Sequence, residues 1–291
     1  MTSKKQTAYE RITEDFIKML EKGVAPWRRP WKTLGGMPKN YISNRAYSGV
    51  NWFTLLNSGC STPYYMTFKQ AKEAGGNVMK GSKGFPVYFY TMFEKKDKGN
   101  VVLDSKGNSQ KIPFLKSYTV FNLSQIEGIE CPEIKDIEQI NFNPIEACEK
   151  VMDRWPDKPE IIHSGEGASY SPSNDVIRMP YKNSFNSEEH YYSTLFHESG
   201  HATGHKSRLD RKLCVSYGSD PYGKEELIAE MTSAFLCAES RIDNEVKEES
   251  ASYFQSWITT LKGDPKMLIQ AASKAQKAAD YILGKHEPKE L

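Results

Sequence analysis

The 291-residue sequence predicts an α+β protein of two domains: a small α+β module, then a mainly helical domain with a small sheet. Three observations carry this. At a rough prior of about 150 residues per domain, the length accommodates two. Charge is segregated along the chain, with about 20 Lys/Arg against 8 Asp/Glu in residues 1–125, roughly +12, and roughly −10 in residues 126–291. The periodicity also changes, from strand-like apolar runs in the first half to four successive helical patterns in the second.

In the first half, Thr7 and Glu10 have the spacing of a capping box, Ile12, Phe16, Met19 and Leu20 recur at helical spacing, and Gly23 sits where a C-terminal cap belongs. A helix is expected over 7–22. Prolines 26 and 30 exclude regular helix from Pro26-Trp27-Arg28-Arg29-Pro30-Trp31. A short helix is expected over Phe68–Ala74, introduced by Thr67 and stopped by Gly75-Gly76, with strands over Val87–Glu94 and Leu115–Leu123. Gly76 to Gly81 lacks the Lys-Ser/Thr of a phosphate loop, so nothing points to ATP.

The pattern weakens from Ser124 to Pro144, which gives expected domains of 1–127 and 144–291 joined by a linker at 128–143. Asn143-Pro144 can open a helix running to about Trp155. Segments 168–171 and 176–180, joined by Pro172-Ser173-Asn174-Asp175, read as a hairpin. Helical patterns cover about 187–203, 224–240, 247–262 and 265–283, the last opened by an Asp264 cap and Pro265 and closed by Gly284.

No apolar run approaches the about 18 to 20 residues of a bilayer span, and Met1-Thr2-Ser3-Lys4-Lys5 leads into a polar segment, so neither membrane insertion nor a cleaved signal is expected. Five scattered cysteines, none spaced CxxC, suggest no disulfide framework. A cytoplasmic protein is the expectation.

His197-Glu198-Ser199-Gly200-His201 falls in the 187–203 pattern. On a helix, i and i+4 share a face, so His197 and His201 can offer two imidazole nitrogens to one ion with Glu198 beside them. Two imidazoles and a carboxylate leave a fourth position for water, whose proton a neighbouring glutamate can take; Glu198 is the candidate base. Zn2+ suits such ligands, and Mn2+ or Co2+ can occupy them. For the third ligand, Gly204 matches the metzincin pattern HExxHxxGxxH, but its final histidine is replaced by Ser207. His205 is an alternative just past the helix end. The favoured source is a carboxylate from Lys224-Glu225-Glu226-Leu227-Ile228-Ala229-Glu230, where Glu226 and Glu230 are i, i+4 neighbours. The site is similar to gluzincin-type centres. That resemblance implies Glu226 as ligand and Glu230 as support for a histidine, with reversal of the two open. Gly200 inside the helix costs roughly 1 kcal/mol against alanine, which the close approach of another backbone would explain. Tyr217 or Tyr222 can supply an oxyanion donor, and both also read as ordinary loop tyrosines.

Single-stranded nucleic acid is held by cations on phosphates and by aromatic faces under bases. The first half has both residue types. Trp27, Arg28, Arg29, Trp31 and Lys32 cluster in one segment, Arg45, Tyr47, Asn51 and Trp52 follow, and Lys69, Lys80 and Lys83 add charge.

Together these segments resemble the ArdC-type antirestriction proteins of plasmids and other mobile elements. The likeness rests on Gly23-Val24-Ala25-Pro26-Trp27-Arg28-Arg29-Pro30-Trp31, Tyr47-Ser48-Gly49-Val50-Asn51, Met66-Thr67-Phe68-Lys69-Gln70-Ala71, the HESGH motif running on through Thr203-Gly204-His205, Glu225–Glu230 and Ser256-Trp257. The resemblance implies a single-stranded-DNA-binding domain joined to a zincin-like metallopeptidase domain, with a protein substrate left unspecified. It further implies that the whole shields incoming DNA from host restriction. A DNA-occluding protein with a structural or vestigial metal site is the alternative.

Overall fold

A computed structural model describes residues 6–27, 37–97, 100–103, 107–132, 143–211, 213, 220–243 and 251–285. The chain forms two compact units. The smaller comprises Pro38–Tyr47 and Thr54–Pro132, the larger Met1–Met37, Ser48–Phe53 and Glu133–Leu291. In sequence terms the smaller unit holds 12 Lys/Arg against 6 Asp/Glu, and the larger 27 against 31.

Helix α1 (Ala8–Leu20) opens on the expected capping box: Glu10 N donates to Thr7 Oγ1 at 3.2 Å, and Thr7 N to the Glu10 carboxylate at 2.7 Å. Gly23 lets the chain leave at φ +73°, a region that strains any residue with a Cβ. The buried face of α1 (Ile12, Phe16, Ile17, Leu20) belongs to the larger unit, where Thr13 Oγ1 donates to the Pro265 carbonyl at 2.8 Å.

The elements that follow are β1 (Lys39–Asn40), α2 (Val50–Leu56), β2 (Tyr64–Thr67), α3 (Phe68–Glu73), β3 (Asn77–Val78), β4 (Phe85–Glu94), β5 (Lys96–Asp97), β6 (Asn100–Val101), β7 (Lys111–Asn122) and β8 (Ile126–Glu127). A four-stranded sheet of order β1-β2-β7-β4 carries the smaller unit, with β1 parallel to β2 and the other pairs antiparallel. Leu55, Tyr65, Val87 and Val120 form one core under it, and Met66, Ala71, Leu123 and Ile126 a second. Helix α3 has the capping chemistry expected of Thr67, with Gln70 closing the box, and Gly75 follows it at φ +85°. The strands outrun their expected lengths. β4 and β7 pair from Phe85↔Val120 to Glu94↔Lys111, whereas β2 reaches β7 only at Val120–Asn122. Beyond that the two strands form an arm with no third strand beside them among the described residues, where Pro113, lacking an N–H, is tolerated.

The larger unit continues with α4 (Pro144–Arg154), β9 (Glu160–His163), β10 (Ser169–Ser171), β11 (Val176–Met179), α5 (Glu188–Ala202), α6 (Asp220–Ser240), α7 (Ala251–Gly263) and α8 (Met267–Ile282). Asn143 caps α4 by accepting from Ile145 N and Glu146 N at 3.0 and 3.2 Å, with Pro144 in the first turn. β10 and β11 make the expected hairpin, and β9, which the sequence did not suggest, adds parallel to β11. Helix α6 is buried nearly all round: Leu227, Ala229, Met231, Ala234 and Leu236 are joined by buried Glu226, Glu230, Thr232 and Ser233, the two hydroxyls donating to the Ile228 and Ser193 carbonyls at 2.7 and 2.9 Å. Helix α8 is regular from Met267 rather than from Pro265, and Asp264 Oδ1 accepts from Lys266 N at 3.1 Å in the turn that leads into it.

Candidate functional site

Helix α5 starts at Ser187, whose Oγ accepts from His190 N at 2.9 Å. Tyr191, Leu195, Phe196, Ser199 and Ala202 are buried along it. His197 and His201, one turn apart, bring their Nε2 atoms to 3.2 Å. Glu226 of α6 presents Oε1 at 3.3 Å from His201 Nε2 and Oε2 at 3.5 Å from His197 Nε2. These three are the one group of such donors found among the described residues. A tetrahedral ion with ligand bonds of about 2.0–2.1 Å needs donors about 3.3 Å apart. The 3.2 Å between the two Nε2 atoms matches that spacing, and the Glu226 carboxylate faces both nitrogens with one oxygen each, at 3.3 and 3.5 Å, so the three residues can close on a small divalent ion.

The far side of each imidazole meets a second carboxylate. His197 Nδ1 lies 3.4 Å from Glu230 Oε1, and His201 Nδ1 lies 3.8 Å from Glu225 Oε1. Carboxylates at both Nδ1 atoms favour the proton there and leave both Nε2 lone pairs converging. Glu225 is itself held by a buried two-pronged bond from Arg211, at 2.6 and 3.2 Å. Arg211 also donates to the Gly200 carbonyl at 2.7 Å and Thr203 Oγ1 at 2.8 Å, tying the end of α5 to the start of α6. Glu225 and Arg211 were not singled out from the sequence. The Glu225-Glu226 doublet was the available signal; an arginine 14 residues upstream of it carried none.

Burial alone would lower both histidines, but Glu226 and Glu230 raise His197 well above its ordinary value, and Glu225 and Glu226 raise His201 to about 9. Burial would raise Glu226, and the hydrogen bonds from His197 and His201 outweigh it, holding the carboxyl far below its usual range. Glu225 is likewise lowered, burial being outweighed by His201 and Arg211.

The backbone approach expected at Gly200 is present: a Cβ there would stand 2.9 Å from Ala229 Cα and 3.3 Å from its carbonyl oxygen. Glu198 is buried on α5, between the two histidines in sequence. His205 lies outside the donor triangle, with Nδ1 2.7 Å from Ser207 Oγ and 3.9 Å from Asp175. Arg208, also bonded to Asp175, donates to the Ala202 carbonyl at 2.8 Å and so anchors the β10–β11 turn to the end of α5. Tyr217 and the side chain of Tyr222 lie outside the described residues.

The nucleic-acid candidates divide sharply. Trp27 and Trp52 present no stacking face: both are fully buried in the larger unit, Trp27 edge-on to Trp257 at 5.0 Å and Trp52 against Phe235 at 4.8 Å. Burying an indole of 150–250 Å2 gains about 4–6 kcal/mol, more than the about 1–3 kcal/mol of one base stack, which is the physical reason the core takes them. Asn51 is buried with them. Tyr47 is half-buried, edge-on to Tyr65 at 6.4 Å. Arg45, Lys69, Lys80 and Lys83 are exposed on the smaller unit. Arg28, Arg29, Trp31 and Lys32 lie outside the described residues. Cys60, Cys131, Cys148 and Cys237 are free, and no described helix is long and apolar enough to cross a membrane.

Residues 6–121 match a family described as the N-terminal domain of anti-restriction factor ArdC, and residues 147–274 one described as zincin-like metallopeptidase. Two Escherichia coli proteins named DNA primase TraC are each 37% identical over 97% and 96% of this chain, which spans only 28% and 20% of their lengths. An uncharacterized Sinorhizobium fredii protein, y4eC, is 34% identical over 94% of this chain and 91% of its own. Among solved structures, the metal-free antirestriction protein ArdC of plasmid R388 superposes with a TM-score of 0.77 at 36% identity, covering 97% of this chain and all of that one. Its Mn(II)-bound form gives 0.76 at 35% identity, covering 96% and 98%. With a zincin-like region and an ArdC N-terminal region matched along one chain, and a solved ArdC structure matched over nearly the whole of it, the protein belongs to the ArdC family of antirestriction proteins.

Proposed function

We propose that the chain protects incoming DNA of a mobile element from host restriction, binding single-stranded DNA through its smaller unit and carrying a gluzincin-like hydrolytic centre in the larger. The observation that supports the centre is the convergence of His197 Nε2 and His201 Nε2, 3.2 Å apart, on the Glu226 carboxylate, whose two oxygens lie 3.3 and 3.5 Å from them. In this reading those three hold the ion, Glu230 and Glu225 position the two imidazoles, and Glu198 is the general base. A bound ion supplies Lewis acidity and brings a water's pKa toward about 7. Glu198 then accepts a proton at its carboxylate and returns it to the leaving amine of a protein substrate. Two imidazoles and one carboxylate suit Zn2+, and the Mn(II) form of the R388 relative supports tolerance of other divalent ions.

The surplus of positive charge on the smaller unit supports the DNA half, with Arg45, Lys69, Lys80 and Lys83 following phosphates. So does the match of nearly the whole chain to part of proteins named DNA primase.

Glu198→Gln tests the union of the two. It is expected to keep metal and single-strand binding while abolishing protection of transferred DNA and any peptide cleavage. Undiminished protection by that variant means that occupancy of DNA suffices and the metal site is structural.

A further inference from the structure

The arm formed by β4 and β7 turns one face to solvent, and that face is aromatic. Residues directly opposite in an antiparallel ladder share a face. The register therefore aligns Val87 with Tyr118, Phe89 with Lys116, Thr91 with Phe114 and Phe93 with Ile112, continuing the side that holds Phe85 and Val120. Core covers this side as far as Val87. From Tyr118, opposite Val87, outward, Phe89, Phe93, Phe114 and Tyr118 are 47, 55, 49 and 39% exposed.

These rings brace one another across the strands. Phe89 meets Tyr118 edge-on at 5.5 Å and Phe93 meets Phe114 at 5.4 Å, while Lys116 Nζ stands 4.9 Å from the centre of the Tyr118 ring. Same-face positions along a strand recur about every 6.8 Å. Phe89 and Phe93 are two such steps apart, as are Phe114 and Tyr118, so the exposed rings are spread along the arm within reach of several bases of an extended strand.

We propose that this face of the arm is the base-stacking platform for single-stranded DNA, with Lys116 and the exposed Lys95 and Lys96 meeting phosphates. The proposal rests on the reading that the smaller unit binds single strands, and it names the residues that do so. Charge selects this occupant. The unit carries a surplus of six positive charges, and a second copy seated on the same face would bring its lysines against these, whereas a polyanion neutralises them.

The test is anisotropy of a labelled oligothymidine of about 20 nucleotides at about 50 mM salt, with the full chain. Phe89→Ala and Phe114→Ala are each expected to weaken binding at least about fivefold with unchanged thermal melts, since both side chains are exposed. Phe68→Ala removes a ring of 52% exposure on α3 and is expected to leave affinity within about twofold. Photo-crosslinks from bromodeoxyuridine are expected in 85–94 and 111–122. If the wild type binds and the arm variants bind equally well, the platform is wrong and the DNA reading stands. Failure of the wild type to bind removes both. A wild-type dimer that Phe114→Ala converts to monomer at unchanged DNA affinity makes the arm a self-association face and overturns the proposal.

Discussion

Gly200 and Ala229 meet backbone against backbone: a Cβ on Gly200 would lie 2.9 Å from Ala229 Cα. Gly200 immediately precedes His201, and Ala229 lies between Glu226 and Glu230. This contact therefore sets the gap across which the histidines face their carboxylates.

Gly200→Ala should reveal that contact through its sign. In an unobstructed helix interior, alanine stabilises by about 1 kcal/mol over glycine. Here overpacking against a neighbouring backbone costs about 1–3 kcal/mol, so urea denaturation is expected to show net destabilisation with weakened metal binding. A more stable variant with full metal affinity would mean that the helices stand further apart.

Arg211 and Glu225 should behave as a pair. Glu225→Gln loses the carboxylate behind His201 and is expected to weaken metal binding about 10–100-fold in a chelator competition. Arg211→Met leaves a buried carboxylate without its partner, a loss of about 3–5 kcal/mol in stability. The double variant is expected to be more stable than Arg211→Met alone, and strict additivity would argue against coupling.

How much of this was legible in sequence depended on range. Thr7-Glu10, Thr67-Gln70 and Asn143-Pro144 announce helix starts because capping uses neighbours within a turn. His197 and His201 are legible for the same reason. Arg211 is joined to Glu225 only by folding, and nothing local marks it. Trp27 and Trp52 misled because an indole beside arginines has the same composition whether it faces a base or a core. The exposed arm went unread because apolar strand residues ordinarily signal burial, and only the register shows where β2 ends.

Burial of the two tryptophans carries its own expectation. Trp27→Ala and Trp52→Ala are each expected to destabilise by about 3–5 kcal/mol in thermal or urea melts, through lost core packing. At temperatures where the variants stay folded, single-strand affinity is expected to hold. A large affinity loss with unchanged stability would return the indoles to the DNA surface.

The site also fixes a pH dependence. His201, raised from 6.5 to about 9, contributes stability to the metal-free protein that is fully present below about pH 6.5 and lost as pH rises through about 9. Glu226, lowered from 4.5, contributes stability present above about pH 4.5 and lost as pH falls. Chelator-treated protein is therefore expected to owe most to this site between about pH 4.5 and 6.5. Metal affinity runs the other way, rising with pH because the imidazoles must release their protons. Denaturation of chelated protein at pH 6 and 9, beside metal titrations at pH 6 and 8, checks both slopes.

The most direct measurement is metal stoichiometry across single ligand variants, by titration and elemental analysis of chelated, reloaded protein. One divalent ion per chain is expected in the wild type and in Glu198→Gln, none in His197→Ala, His201→Ala or Glu226→Ala, and weakened binding in Glu230→Gln. An ion retained at full affinity by Glu226→Ala but lost from Glu230→Ala would contradict the donor triangle on which the centre is built.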